Sequence, residues 1–112
     1  MSRTAAVKDC LRQMLALLEG ERQALAALDL ERIVTCADGK TALCTRLEAI
    51  AGNDLDEEGI GLLDAARRLN EINRRLRNLI ATNVQTRLEM LGGAHGTYRP
   101  AGLGRRETYA LA

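Results

Sequence analysis

The chain has 112 residues, of which 46% are hydrophobic but only 2% aromatic, and its 16 basic and 15 acidic side chains leave a net charge of +1. That length holds one domain with a modest core. A Leu/Ala-rich composition with so few rings favours closely packed helices, and the near-zero net charge names no partner by itself.

The first predicted element is an amphipathic helix over 3–28. Val7, Leu11, Met14, Leu18, Leu25 and Leu28 recur at alternating spacings of four and three, and Glu21 interrupts that seam. Leu15 and Leu17 widen the stripe, as in a bundle helix that meets more than one neighbour. Asp29 is placed to cap a second helix over 30–51, its carboxylate accepting from free backbone N–H groups. Ile33, Ala37, Cys44 and Leu47 are expected to face inward there, joined by Leu43 and Ile50. Asp38-Gly39 is a turn-forming pair, but the apolar stripe stays in phase across it, so the helix is expected to continue. "GNDLDEEG" at 52–59 is the clearest break, with Gly52 as a C-terminal stop and Asn53, Asp54 or Asp56 as turn or capping residues.

Glu57 and Glu58 suit the positive N-terminal end of a third helix over 57–91. Its stripe runs Leu62, Ala66, Leu69, Asn73, Leu76, Ile80, then Asn83 or Val84, Leu88 and Leu91, and Gly92-Gly93 stops it. Residues 93–112 carry glycines, the single proline and both tyrosines without a period, and read as a flexible or short-helical tail. The fold class is therefore all-α: an antiparallel three-helix bundle, coiled-coil-like, over 1–92, with a long third helix and a C-terminal tail over 93–112.

The chemistry-bearing residues are few. Cys10, Cys36 and Cys44 are odd in number and form no C-x-x-C pair, so neither a disulfide framework nor a zinc site follows, and they read as small apolar residues in a reducing compartment. There is no P-loop, no dinucleotide-binding glycine motif and no H-E-x-x-H. Without convergent polar groups no catalytic residue, metal or cofactor is expected, and the chain reads as a non-enzyme. The N-terminus lacks a signal-peptide core and no apolar run reaches about 18 residues, so a cytoplasmic protein without stable membrane insertion is expected.

Charge is unevenly spread: residues 1–58 hold 7 basic and 11 acidic side chains, whereas 59–112 hold 9 and 4. The basic half suggests nucleic acid, but Asp64, Glu71 and Glu89 dilute it, and no helix-turn-helix pattern accompanies it. A solvated helix face is the simpler reading, and nucleic acid is not expected as a partner. Asn70, Asn73 and Asn83 lie on the third helix, and Asn73 falls on its apolar stripe. An asparagine there costs stability unless its amide is partnered, and it fixes register or oligomer state. The tail gathers Tyr98, Arg99, Pro100, Leu103, Arg105, Arg106, Tyr109 and Leu111, rich in the Tyr and Arg that anchor interfaces.

The segments "LLEGERQALAALDLERIVTCADGKTALCTRLEAI", "LNEINRRLRNLI" and "YRPAG" resemble, in order and spacing, the flagellar export chaperone family FlgN. The likeness covers nearly the whole chain; it departs at Gly39 beside Lys40 and in a short tail. The resemblance implies a non-enzymatic chaperone of flagellar type III export. Such a protein binds the C-terminal helical segments of the hook-associated proteins FlgK and FlgL, prevents their premature assembly and delivers them to the export apparatus. Carried onto this sequence, client binding falls on Leu79, Ile80, Val84, Arg87, Leu88 and Leu91 of the third helix, together with the eight tail residues named above. The alternative is a structural or adaptor coiled-coil protein acting through self-association, by the Val7–Leu28 stripe with Asn73 fixing register. A homodimer is compatible with either.

Overall fold

A computed structural model describes residues 2–50 and 55–92. They form three helices: α1 (Arg3–Ala27), α2 (Leu30–Ile50) and α3 (Glu57–Gly92). The chain divides into two compact units, one ending at Asn73 and one starting at Arg74. The first is an up-down-up bundle. Gly20 of α1 lies beside Arg32 and Cys36 of α2, and Leu17 beside Gly39, so these helices are antiparallel. Arg46 donates to Gln13 in the same sense. Lys8 pairs with Asp56 and Arg12 with Glu58, while Asn73 meets Leu18 and Glu21, so the first part of α3 runs parallel to α1.

Each helix start has a side-chain cap. Ser2 Oγ accepts from Ala5 N–H at 3.1 Å, Asp29 Oδ1 from Arg32 N–H at 3.2 Å and Asp56 Oδ1 from Gly59 N–H at 2.8 Å. A cap of this kind contributes about 1 kcal/mol. The end of α1 corrects the sequence reading by one residue. Leu28 leaves the helix at φ 55°, in the left-handed region, and its side chain is largely exposed rather than part of the seam. Leu28 N–H donates to Leu25 O and Asp29 N–H to Ala24 O, closing the helix as a Schellman turn in which leucine occupies the usual glycine position. A non-glycine residue there costs roughly 1–2 kcal/mol. Asp29 thus ends α1 with its N–H and starts α2 with its carboxylate.

α1 is the spine. Val7, Leu11, Met14, Leu18 and Leu25 are buried on it, as its heptad pattern predicts, and Cys10, Glu21 and Ala24 are buried beside them. Met14, Leu18, Leu43 and Ala66 form the core cluster, flanked by Leu15, Leu17, Leu47 and Leu69. α2 is continuous through Asp38-Gly39. Gly39 has a packing reason: a Cβ there would lie 3.1 Å from both Leu17 methyls. The α2 phase needs a correction. Cys36 and Leu43 are its buried residues, Ile33, Leu47 and Ile50 are half-buried, and Ala37 and Cys44, expected inward, are exposed. The inward set is Ile33, Cys36, Lys40, Leu43, Leu47 and Ile50, an unbroken three-four spacing that runs through a lysine.

Candidate functional site

Two arrangements of polar and apolar groups stand out. The first lies inside the bundle, where Glu21 is 1% and Asn73 0% exposed. Asn73 Nδ2 donates to Glu21 Oε1 and to Leu18 O, both at 2.9 Å. Lys40 Nζ pairs with Glu21 Oε2 at 3.1 Å and donates to Asn70 Oδ1 at 3.3 Å. One carboxylate thereby joins all three helices: its first oxygen holds α3 and its second holds α2. Asn73 Oδ1 is buried without a hydrogen-bond partner among the described residues, which costs about 1–3 kcal/mol. Asn73 sits where its place on the stripe predicts, and Asn70 joins through Lys40. Asn83 is exposed, so it is not a buried register position.

A second ionic cluster ties α1 to the start of α3. Lys8 Nζ lies 2.9 Å from both Asp56 Oδ2 and Glu58 Oε1, and Arg12 reaches Glu58 at 3.1 Å. The hydrogen bond from Lys8 holds both carboxyls below their ordinary range, reinforced at Asp56 by the Gly59 N–H. The same bonds, that to Asp56 first, raise the Lys8 ammonium. These are solvated contacts, so they align the helix ends more than they stabilise them.

The second arrangement is on residues 74–92 of α3, the described part of the second unit. Leu76, Ile80, Val84, Leu88 and Leu91 continue at helical spacing, and the exposure of the last three is 50%, 62% and 84%. Ile80 is half-buried, whereas Leu79 and Met90 are exposed beside the stripe. Arg74, Arg75, Arg77 and Arg87 share this stretch with one acidic residue, Glu89. Six of the sequence-predicted client residues therefore fall on one helical segment, and five of them (Leu79, Val84, Arg87, Leu88 and Leu91) are exposed there. Tyr98, Arg99, Pro100, Leu103, Arg105, Arg106, Tyr109 and Leu111 lie outside the described residues. Sequence reading missed Met90, which sits one position off the stripe, and the pairing of Glu21 with Lys40. The signal for Glu21 was its place on the α1 seam, where burial is the default and a charge demands a partner.

Among the described residues no group of His, Cys, Asp and Glu is arranged to hold a metal ion, and no helix is long and apolar enough to cross a membrane. No protein-family model, curated protein or solved structure matches this chain. The second arrangement presents exposed apolar side chains on a helical segment that also carries four arginines.

Proposed function

We propose that the chain is a cytoplasmic helix-capturing chaperone, of the kind that its likeness to the FlgN family implies, with FlgK and FlgL as clients and the flagellar export apparatus as destination. The observation that carries the reading is the bare apolar stripe Val84–Leu88–Leu91, with Leu79 and Met90 beside it. An amphipathic client helix laid against it covers both apolar faces, the helix-on-helix mode of peptide capture. Arg87, Arg99, Arg105 and Arg106 favour a client with acidic or mixed flanks and speed its encounter.

Magnitudes assign a part to the last 20 residues. Covering five side chains that are half to four-fifths exposed yields about 1–2 kcal/mol each, and association costs about 4–15 kcal/mol. The stripe alone then gives weak binding at best. Tyr98, Pro100, Leu103, Tyr109 and Leu111 supply the further anchors. The test is calorimetric titration of C-terminal FlgK and FlgL segments into the full chain, a Val84→Asp/Leu88→Asp variant and a chain ending at Gly92. Both alterations should leave the circular dichroism of the bundle in place and abolish binding. Normal capture by the double variant removes α3 from the client site; normal capture by the shortened chain removes the tail.

A further inference from the structure

The turn between α1 and α2 is two residues long and holds Leu28 in a left-handed conformation that leucine disfavours. Across that turn the two buried stripes are in phase. Val7, Leu25 and Leu43 are spaced 18 residues apart, as are Leu18 and Cys36, and all five are buried. Eighteen residues make about five full helical turns. A helix running without a break from Arg3 to Ile50 would therefore carry the inward faces of α1 and α2 along one line. No proline stands in its way, since Pro100 is the only one in the chain. Leu28 itself is a good helix former.

Among the described residues, α1 is fastened to its neighbours by cross-helix pairings that include Glu21 with Lys40 and Asn73, Leu18 O with Asn73, Gln13 with Arg46, Lys8 with Asp56 and Glu58, and Arg12 with Glu58. None requires α1 and α2 to belong to the same molecule. We propose that two copies exchange α1 by opening at Leu28–Asp29. Each copy then forms a continuous helix over 3–50. Its α1 portion packs into the α2–α3 pair of the other, and Glu21 of one copy meets Lys40 and Asn73 of the other. The bonds Leu28 N–H to Leu25 O and Asp29 N–H to Ala24 O are replaced by regular helix bonds, and the left-handed leucine is released. Short strained connections favour such exchange. The exchange uses residues 3–73 only and does not rest on the proposed client binding.

The decisive experiment uses two charge-reversed full-length variants, Glu21→Lys and Lys40→Glu. Each alone places like charges together in the buried node. Refolded from urea as a 1:1 mixture, an exchanged heterodimer has opposite charges at both nodes. The expected result is a cooperatively melting species with the mass of one copy of each, formed only by the mixture. A mixture that behaves as the sum of its parts overturns the proposal. Leu28→Gly supplies an arm that leaves the core untouched. Glycine accepts the left-handed turn and resists the continuous helix, so the dimer dissociation constant of the full chain should rise by on the order of a hundredfold, read by sedimentation. Leu28→Ala with Asp29→Ala should shift it the other way. A native chain that stays monomeric at millimolar concentration, or a dimer indifferent to Leu28→Gly, also overturns it.

Discussion

Replacing Lys40 by methionine tests the polar node most directly. The side chain keeps its length and apolar stem but no longer offers a cation to Glu21, whose side chain is 2% exposed against 20% for Lys40. Breaking one side of a buried pair typically costs about 3–5 kcal/mol, because it leaves a charge without its counter-ion. Two features place Lys40→Met toward the lower end of that range. Asn73 still donates to Oε1, and the partial exposure of Lys40 lets water reach the vacated position. The expected loss is about 2–3 kcal/mol. A bundle of roughly 70 residues has only about 4–10 kcal/mol of net stability, so this is a large fraction of it. Urea unfolding followed at 222 nm should show a lower midpoint with unchanged slope. The control is Glu21→Met/Lys40→Met. With the charge gone as well as its partner, the double variant should recover most of the loss, leaving a coupling of about 2 kcal/mol between the two positions. A Lys40→Met midpoint within about 0.5 kcal/mol of the native chain, or a double variant weaker than either single one, refutes the reasoning.

Two further outcomes follow from the helix ends. Gly61→Ala should stabilise the bundle by about 0.5–1 kcal/mol, since a Cβ there meets nothing within 4 Å and glycine is a poor helix former; an unchanged or lower thermal midpoint sinks it. The Lys8 cluster should give the bundle a pH dependence at both ends. Asp56 and Glu58 are held below their ordinary range, so their contribution is full above roughly pH 5 and is lost as pH falls through their folded-state values. Lys8 is raised, so its contribution is full below its unfolded value and is lost as pH rises through the folded one. Lys8→Ala should flatten both flanks of the stability–pH curve; equal flanks in the variant and the native chain would show that the cluster does not titrate with folding.

The legibility of the fold in the sequence differs from helix to helix, for physical reasons. α1 has one dominant apolar stripe, so its period found Val7, Leu11, Met14, Leu18 and Leu25 among the buried residues, while Cys10 and Ala24, one position off that seam, were missed. The last step, to Leu28, failed because capping competes with periodicity: Asp29 bonds Arg32 N–H and the chain turns one residue earlier. α2 was misphased only at Ala37 and Cys44, because it carries two uncharged stripes. Leu30, Val34, Ala37, Thr41 and Cys44 form one, and this is the exposed one. The other is interrupted by Lys40 and so looks weaker, although it is the buried one. Glu21 and Lys40 each read as a defect in their own helix. They become a pair only once the register between helices is known, and one-helix periodicity contains no such information. On α3 the stripe past Asn73 reads like core by its period, yet Val84, Leu88 and Leu91 are exposed, because a one-helix period does not say whether a neighbour covers the stripe.

That double reading bears on why a thin Leu/Ala bundle keeps a carboxylate, an ammonium and an amide inside. Stability alone does not require them, since apolar replacement of such a pair is often neutral or better. The leucine pattern, by contrast, is degenerate. Sliding α1 by one heptad against its neighbours still matches apolar to apolar at most positions, but it brings Glu21 to the place of Met14, among Leu43 and Ala66. A carboxylate there has neither Lys40 nor Asn73, and Asn73 faces a leucine or methionine instead. Each misplaced group costs several kcal/mol, so only one alignment satisfies the carboxylate and the lysine together. The Glu21→Met/Lys40→Met chain is where this separates from simple stabilisation. It should keep most of its helix and its midpoint while losing the penalty against a slipped α1, whether α1 packs within its own chain or on a second copy.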